Sequence, residues 1–191
     1  DLRLRLAALM HDIGKPATRR FMPDGTVTFH AHDYVGARMT AKRMRALHFD
    51  KQTIKDVSRL VELHLRFHGY ADSPWSDSAV RRYVTDAGPL LARLGCLTRA
   101  DVTTGNRRKA AMLSHAYDDL ERRIEALRQQ EELASIRPEL DGQEIMAELG
   151  IKPGPEVGKA YKFLLDLRME RGPIGKELAR EALHSWWATQ Q

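Results

Sequence analysis

Helical periodicity in every long segment is the feature that most constrains the fold of this chain. In the segment from 106 to about 136, apolar residues recur at intervals of three and four, at positions 113, 117, 120, 124 and 127. The one extended candidate runs from Phe21 to Phe29, where Pro23-Asp24-Gly25 predicts a turn between short strands. The pattern predicts an all-α fold with a single short hairpin or irregular loop.

Composition narrows the class of protein. The 191 residues include 31 Lys and Arg against 26 Asp and Glu, a net charge of +5, which favours polyanionic partners without identifying one. No apolar run approaches bilayer-spanning length, so we expect a soluble chain with no membrane partner. The single cysteine, Cys96, excludes a disulfide framework and indicates a reducing cytoplasmic location. The sequence opens in mid-helix without an initiator Met, which suggests a fragment of something longer.

Changes in pattern along the chain predict three parts. Residues 1–105 form a set of helices, residues 106–137 a long connecting helix, and residues 138–191 a small helical tail. The boundary before the tail is marked by Pro138 to Gly142, and a last helix is predicted over Lys176–Ala188. Earlier in the chain, Gly36 is expected to let another helix approach closely, Asp50 to cap the N-terminus of a helix, and residues 69–75 to form a loop.

The stretch from Leu6 to Pro16 contains the first candidate site. Leu2, Leu6, Leu9 and Ile13 recur at helical spacing and predict the buried face of a helix, and Gly14 is expected to end that helix with positive φ. His11 and Asp12 then lie at the negative end of the helix dipole, where a divalent metal is a suitable partner. Lys15 is placed to bind an anion. A polar dipeptide that merely ends a helix is the alternative.

Other titratable residues fall near helix ends. His30 and His32 precede or begin a helix predicted to reach Leu47, while His64 and His68 share a face of the next one. A lone histidine on an apolar face is usually a packed core residue, and the sequence favours a function for His64 over one for His68. Asp101 ends a helix predicted near 89–100, where an isolated aspartate usually caps a turn.

Basic residues form several candidate phosphate-binding groups. The Gly154-Pro155 turn opens a helix whose bare N–H groups suit a phosphate. An ordinary tight turn and a solvated basic surface are the alternatives. The candidate residues are Lys15, Arg81, Arg82, Arg107, Arg108, Lys109, Lys152, Lys159 and Lys162.

The His11-Asp12 doublet in its apolar setting resembles the signature of the HD superfamily of metal-dependent phosphohydrolases. That resemblance implies a helical HD domain over residues 1–105 and a divalent metal, Mg²⁺, Mn²⁺ or Ni²⁺. The first histidine of the family pattern has no counterpart in this sequence, so metal binding is expected to be weak, incomplete or absent in this fragment.

With the tail included, the chain resembles the C-terminal region of bacterial CCA-adding tRNA nucleotidyltransferases of the poly(A) polymerase family. The similar segments are Phe29–Ala37, Leu60–His64, Leu97–Asp101, Leu140–Met146 and Gly150–Gly158. The resemblance implies metal ligands at His11, Asp12 and Asp101, with His32 and His64 as second-metal or phosphate-contacting residues. Asp12, His32 and His64 are the catalytic candidates.

The resemblance also implies partners and limits. The tail should bind tRNA, and the longer protein should contain an N-terminal nucleotidyl-transfer head with a Gly-Ser pair and an Asp-x-Asp motif, which this sequence lacks. The chain alone is therefore expected to add no nucleotides and to be at most a metal-dependent phosphohydrolase. The alternatives are a free-standing HD phosphohydrolase acting on nucleotides and a purely structural helical arm.

Overall fold

The computed structural model describes residues 1–73, 75–101, 106–131 and 136–190, with only the backbone of residues 71 and 72. Helices dominate these residues, and the only strands among them form one two-stranded sheet, which confirms the predicted all-α fold. The elements are α1 (Leu2–Met10), α2 (Lys15–Thr18), β1 (Arg20–Phe21), β2 (Val27–Thr28), α3 (His32–Ala46), α4 (Lys51–Leu63), α5 (His68–Asp72), α6 (Asp77–Ala87), a 3-10 turn (Gly88–Leu90), α7 (Leu91–Ala100), α8 (Arg107–Gln130), α9 (Gly142–Leu149), α10 (Pro155–Arg171) and α11 (Lys176–Ala188).

The chain divides into two compact units. Unit one contains Asp1–Pro74 and Ala87–Glu121, and unit two contains Trp75–Asp86 and Arg122–Gln191. The helix α6 thus belongs to unit two, and α8 contributes to both units. The three-part division at 105 and 137 follows changes of pattern along the sequence and stays a prediction.

Helix α4 lies at the centre of unit one, where it packs against α1, α3 and α7. Its side chains Val57, Leu60 and Val61 are fully buried. Asp50 caps its N-terminus by accepting a hydrogen bond from the Thr53 amide at 2.9 Å, as the sequence predicted. The central position of α4 fixes the neighbouring helices around a common core.

The predicted buried face of Leu2, Leu6, Leu9 and Ile13 is only partly correct, because Leu6 and Ile13 are half-buried. Leu2 and Leu9 are 62% and 78% exposed, whereas Ala7 and Met10 are buried. The reason is that α1 meets the rest of unit one through the face that carries Arg3, Ala7 and Met10, and Arg3 donates to the buried Asp56 at 2.6 Å. The orientation of α1 therefore depends on the residues that the neighbouring helices present to it, and not on how many apolar residues each face of α1 carries.

The predicted hairpin is confirmed. Strands β1 and β2 pair antiparallel, with Arg20 opposite Thr28 and Phe21 opposite Val27. Gly25 takes a φ of 82° in the turn, a conformation that side chains with a Cβ rarely adopt.

Unit two has its own apolar core. The buried residues of that core are Leu140, Ile145, Ala160, Leu164, Leu167, Ala179 and Leu183. Helix α9 begins with a capping box between Asp141 and Glu144, and Trp186 stacks on Phe163 with ring centroids 5.0 Å apart. The predicted last helix at 176–188 and the predicted position of Pro155 in a first helical turn are both confirmed.

Two predicted boundaries differ from the structure. The expected loop at 69–75 begins with helix α5, and α4 ends at Leu63, so His64 and His68 do not share a helix face. Helix α8 ends at Gln130 and not near 136, and residues 132–135 of that prediction lie outside the described residues. Asn106 begins α8 by accepting hydrogen bonds from the amides of Arg108 and Lys109.

Candidate metal centre

Helix ends in unit one deliver five titratable side chains to one place. His11 caps the C-terminus of α1, His64 that of α4 and Asp101 that of α7. Asp12 follows α1 directly, and His32 is the first residue of α3. Because a helix C-terminus carries partial negative charge, three such termini together favour a cation.

The distances show that these side chains form one cluster. His11 Nε2 lies 3.0 Å from Asp101 Oδ1 and 3.5 Å from Asp12 Oδ2, and His32 Nε2 lies 3.4 Å from Asp12 Oδ1. The His64 ring is 5.3 Å from each of the other two imidazole rings. Asp12, His32 and His64 can each offer a ligand atom within 4.8 Å of the others.

Hydrogen bonds to the backbone fix which nitrogen each imidazole presents. The Nδ1 atoms of His11, His32 and His64 lie 2.8, 2.8 and 2.6 Å from the carbonyl oxygens of the residues three positions earlier, Ala8, Phe29 and Val61. A carbonyl oxygen only accepts, so each Nδ1 must carry the proton. The Nε2 atoms of neutral rings therefore present lone pairs to the cluster.

The interior of the cluster leaves polar atoms unsatisfied. Among the described residues, Nε2 of His32 and Nε2 of His64 are buried with no hydrogen-bond partner. Burial of an acceptor without a partner costs about 1–3 kcal/mol, so such atoms call for an explanation. Coordination of a metal by these two nitrogen atoms supplies one.

Charge in the cluster also suits a cation. Partial burial raises the pKa of Asp12, but the hydrogen bond from Lys15 and the positive charges nearby outweigh it, so this pKa lies below its usual value. Burial lowers the pKa of His64, and the His11 and His32 rings lower it further. An ionised carboxylate and a neutral imidazole are the forms that bind metal.

Gly14 holds the turn between α1 and α2 against α3. Its φ is −78°, so the predicted positive φ is wrong. The residue must be glycine for a different reason, because a Cβ there would lie 2.2 Å from the His32 carbonyl oxygen and 2.8 Å from the Gly36 nitrogen. Gly36 allows this close approach, as the sequence predicted for a helix neighbour. The Gly14–Gly36 contact therefore positions His32 beside Asp12.

The remaining candidate residues contribute no metal-donor atom to this cluster. Lys15 donates to Asp12 Oδ2 at 2.7 Å, so its ammonium already has an anionic partner within the chain. His30 and His68 are exposed. Arg107, Arg108 and Lys109 are exposed on the first turn of α8, and Lys152, Lys159 and Lys162 are exposed around the start of α10, with Lys159 2.9 Å from Glu156.

The expectation that Arg81 lies on the surface is wrong. Its side chain is buried in unit two, where Nε donates to Glu131 Oε1 at 2.7 Å and Nη1 to the Met169 carbonyl at 3.1 Å. Arg168 donates to the other oxygen of Glu131 at 2.7 Å. The guanidinium of Arg81 thus completes a buried ion-pair network and is not offered to a phosphate. Arg82 next to it is exposed, 3.7 Å from Glu170.

Sequence reasoning missed the backbone part of the site. The carbonyls of Ala8, Phe29 and Val61 orient the three imidazoles, and Ala31 takes a φ of 59° immediately before His32. No sequence signal marks these carbonyls, because every histidine has a backbone carbonyl three positions before it; only the folded turns show which of them accept from a histidine.

Comparisons with known proteins agree with this geometry. Residues 1–106 match the family model of the HD domain. The chain is 39% identical over 189 residues to the CC-adding tRNA nucleotidyltransferase of Thermus thermophilus, covering 97% of this chain and 40% of the relative. It is 35% identical over 193 residues to the A-adding tRNA nucleotidyltransferase of Deinococcus radiodurans, covering 100% of this chain and 43% of the relative.

The chain therefore spans less than half the length of these two curated relatives. In the part of the chain that the structure describes, no helix combines the length and apolar character required to cross a bilayer. The HD match covers more than half of the residues and includes all five side chains of the cluster. This chain belongs to the HD domain family.

Proposed function

We propose that this chain is the HD-domain and RNA-binding portion of a tRNA nucleotidyltransferase that matures tRNA 3′ ends. The observation that carries this proposal is similarity along essentially the whole chain to two such enzymes, together with a cluster of possible metal donors inside the HD match. One relative is named for adding CC and the other for adding A, and the nucleotide that the longer protein would add is not part of this proposal. Nucleotide addition itself is assigned to an N-terminal head.

The cluster of His11, Asp12, His32, His64 and Asp101 is proposed to hold a divalent metal. Three imidazole nitrogens and two carboxylates fit this role, and nitrogen donors are sufficient without the first histidine of the family pattern. Imidazole-rich sites suit Ni²⁺ better than Mg²⁺ or Mn²⁺, which prefer carboxylates and water. A bound ion would supply charge stabilisation for a phosphoester and a lowered pKa for water.

Loss of one carboxylate tests the metal assignment. In Asp12→Ala, the substitution removes a ligand and a negative charge, so we expect metal content to fall to background by elemental analysis. Asp166→Ala removes an exposed carboxylate of unit two and should retain full metal content. Metal retained at full stoichiometry by Asp12→Ala would show that the doublet is not the site.

The chemistry proposed at this site is phosphoester hydrolysis, on a 2′,3′-cyclic phosphate for instance. Asp12 would orient the attacking water, and His32 and His64 would serve either as ligands of the ion through Nε2 or, with Nε2 protonated, as contacts to the phosphate. Both imidazoles are buried, which strengthens charge interactions at their nitrogen atoms, whereas the Asp12 side chain is 40% exposed and can be reached by water. The free-standing phosphohydrolase alternative predicts the same turnover on nucleotides without affinity for tRNA.

The chain is also proposed to hold tRNA through its phosphate backbone. Arg107, Arg108 and Lys109 occupy the first turn of α8, where the helix dipole disfavours positive charge and no acidic residue offsets it. Their position is therefore unfavourable for the helix and favourable for a polyanion. Exposed Arg82, Lys152, Lys159 and Lys162 are further candidates in unit two.

Charge reversal of Arg107, Arg108 and Lys109 to Glu tests the tRNA assignment. Each phosphate that is no longer neutralised should reduce the slope of log affinity against log salt by roughly 0.7–0.9, so the triple variant should lose about two units of slope. Glutamate at a helix N-terminus is stabilising, so unfolding cannot explain weaker binding. Unchanged tRNA affinity in the triple variant would contradict this part of the proposal.

A further inference from the structure

The hairpin between α2 and α3 exposes apolar side chains that its fold does not use. Every residue from 19 to 27 is exposed, and Phe21, Met22 and Val27 are 73%, 44% and 42% accessible. A two-stranded hairpin is marginally stable by itself, and these exposed side chains bury little apolar surface that could stabilise it. Apolar groups held out on such an element indicate a binding surface.

One face of the hairpin alternates aromatic rings and cations. Phe21 and Val27 are opposite each other, and the same register extended by one position brings Arg19 opposite Phe29. The Arg19 guanidinium carbon lies 5.2 Å from the Phe21 ring centroid, and Lys15 Nζ lies 5.9 Å from that of Phe29. We name Lys15, Arg19, Phe21, Val27 and Phe29 the ribbon face.

The ribbon face is joined directly to the metal centre. Lys15 donates to Asp12, and the Phe29 carbonyl accepts from Nδ1 of His32 at 2.8 Å. The two residues that anchor the hairpin thus also position two side chains of the cluster. The ribbon face therefore borders the cluster through Lys15 and Phe29.

Single-stranded nucleic acid is the ligand whose chemistry matches this face. Its bases stack on exposed aromatic rings, and its phosphates pair with the cations between them. The one carboxylate of the hairpin, Asp24, is at the turn and accepts from the amide and hydroxyl of Thr26, at 2.9 and 2.7 Å. The rest of the hairpin is therefore electrostatically suited to a polyanion.

We infer that the ribbon face binds the 3′-terminal nucleotides of single-stranded RNA, with a base stacked on Phe21 and a phosphate at Arg19, while Lys15 stays paired with Asp12. This inference rests on the proposed function and specifies its substrate: an RNA end whose terminal phosphoester lies at the metal centre.

Phe21→Ala in the 191-residue chain tests this inference. The probe is a fluorescein-labelled, unstructured eight-nucleotide RNA, and a second RNA of equal length lacks the bases of its last two nucleotides. Fluorescence anisotropy should show that Phe21→Ala binds the intact RNA roughly 5- to 150-fold more weakly, the range for loss of one base stack. The variant and the wild type should bind the abasic RNA equally.

Phe21→Trp keeps a ring and should retain wild-type affinity. Leu47→Ala, which truncates a half-exposed apolar residue at the far end of α3, should also leave affinity unchanged. Equal affinity of Phe21→Ala and wild type for intact RNA overturns the inference and assigns the hairpin to another partner, such as a protein. Equal weakening with intact and abasic RNA also overturns it. If the wild type binds neither RNA nor tRNA, the proposed function fails as well.

Discussion

Gly14→Ala should disrupt the metal centre from outside it. A Cβ at this position would lie 2.2 Å from the His32 carbonyl oxygen and 2.8 Å from the Gly36 nitrogen. Normal contact distances exceed 3 Å, so the first turn of α3 must move by about 1 Å relative to Asp12. Both contacts are to backbone atoms, so no side-chain rotation can relieve them.

The size of the effect follows from that displacement. Overpacking of this kind costs typically about 1–3 kcal/mol, or roughly 2–12 °C in Tm for a chain of this length. Ligand positions in metal sites tolerate only about 0.2 Å, so a shift of about 1 Å in His32 should reduce metal affinity at least tenfold. Metal affinity should therefore fall more than stability alone would suggest.

Two assays on one matched pair check this prediction. Thermal unfolding followed by circular dichroism measures stability, and titration calorimetry with Mn²⁺ measures affinity. Gly95→Ala is the control, because its Cβ would make only an ordinary contact, 3.9 Å from Glu121, inside helix α7. That variant should be about 0.5–1 kcal/mol more stable with unchanged affinity. Wild-type stability and affinity in Gly14→Ala would refute the packing argument.

Three further predictions concern a buried ion pair, a helix cap and a backbone position with positive φ. Arg81→Met leaves the buried Glu131 carboxylate short of one partner and should destabilise unit two by about 3–5 kcal/mol in urea unfolding. Arg82→Met, at the exposed neighbour, should change the free energy of unfolding by less than about 0.5 kcal/mol. Asp141→Ala removes the capping box of α9 and should cost about 0.5–2 kcal/mol, with Asp141→Asn nearer to wild type. His48, at φ 58° after α3, should accept glycine with a gain of about 1 kcal/mol, since the left-handed conformation is strained for residues with a Cβ. Each prediction has a result that would contradict it. These results are equal stability of the two arginine variants, wild-type stability in Asp141→Ala, and a destabilised His48→Gly.

The helices could be predicted from the sequence because their signals are local. The repeat in α8, the Asp50 and Asp141 caps and the Pro155 start each involve residues within a few positions of each other. The same holds for the hairpin, whose turn residues are contiguous. Local chemistry therefore sufficed for the all-α class and for most helix positions.

Features that depend on distant partners could not be predicted in the same way. Arg81 is buried because Glu131 is fifty residues away in the sequence and adjacent in space. Helix α1 turns Ala7 and Met10 inward because Asp56 on α4 binds Arg3. Gly14 is required by a contact with α3 and not by its own backbone angle. Each of these depends on which surface packs opposite, which periodicity does not specify.

The candidate site could be predicted partly from local sequence, and the rest of it required the contacts between distant residues. The His11-Asp12 doublet stood out in the sequence, and the structure brings it together with His32, His64 and Asp101 from three other helices. Their individual roles as ligands or catalytic groups stay predictions. The imidazole orientations needed the backbone, because hydrogen bonds to carbonyl oxygens select the nitrogen that faces the cluster.

The central claim is that these five side chains bind one divalent metal. Crystals grown with Ni²⁺ and measured at the nickel absorption edge test it most directly. The account predicts an anomalous peak about 2.0–2.4 Å from at least two of the three Nε2 atoms and from a carboxylate oxygen of Asp12 or Asp101. A nickel peak elsewhere on the chain, with none among these residues, would contradict it.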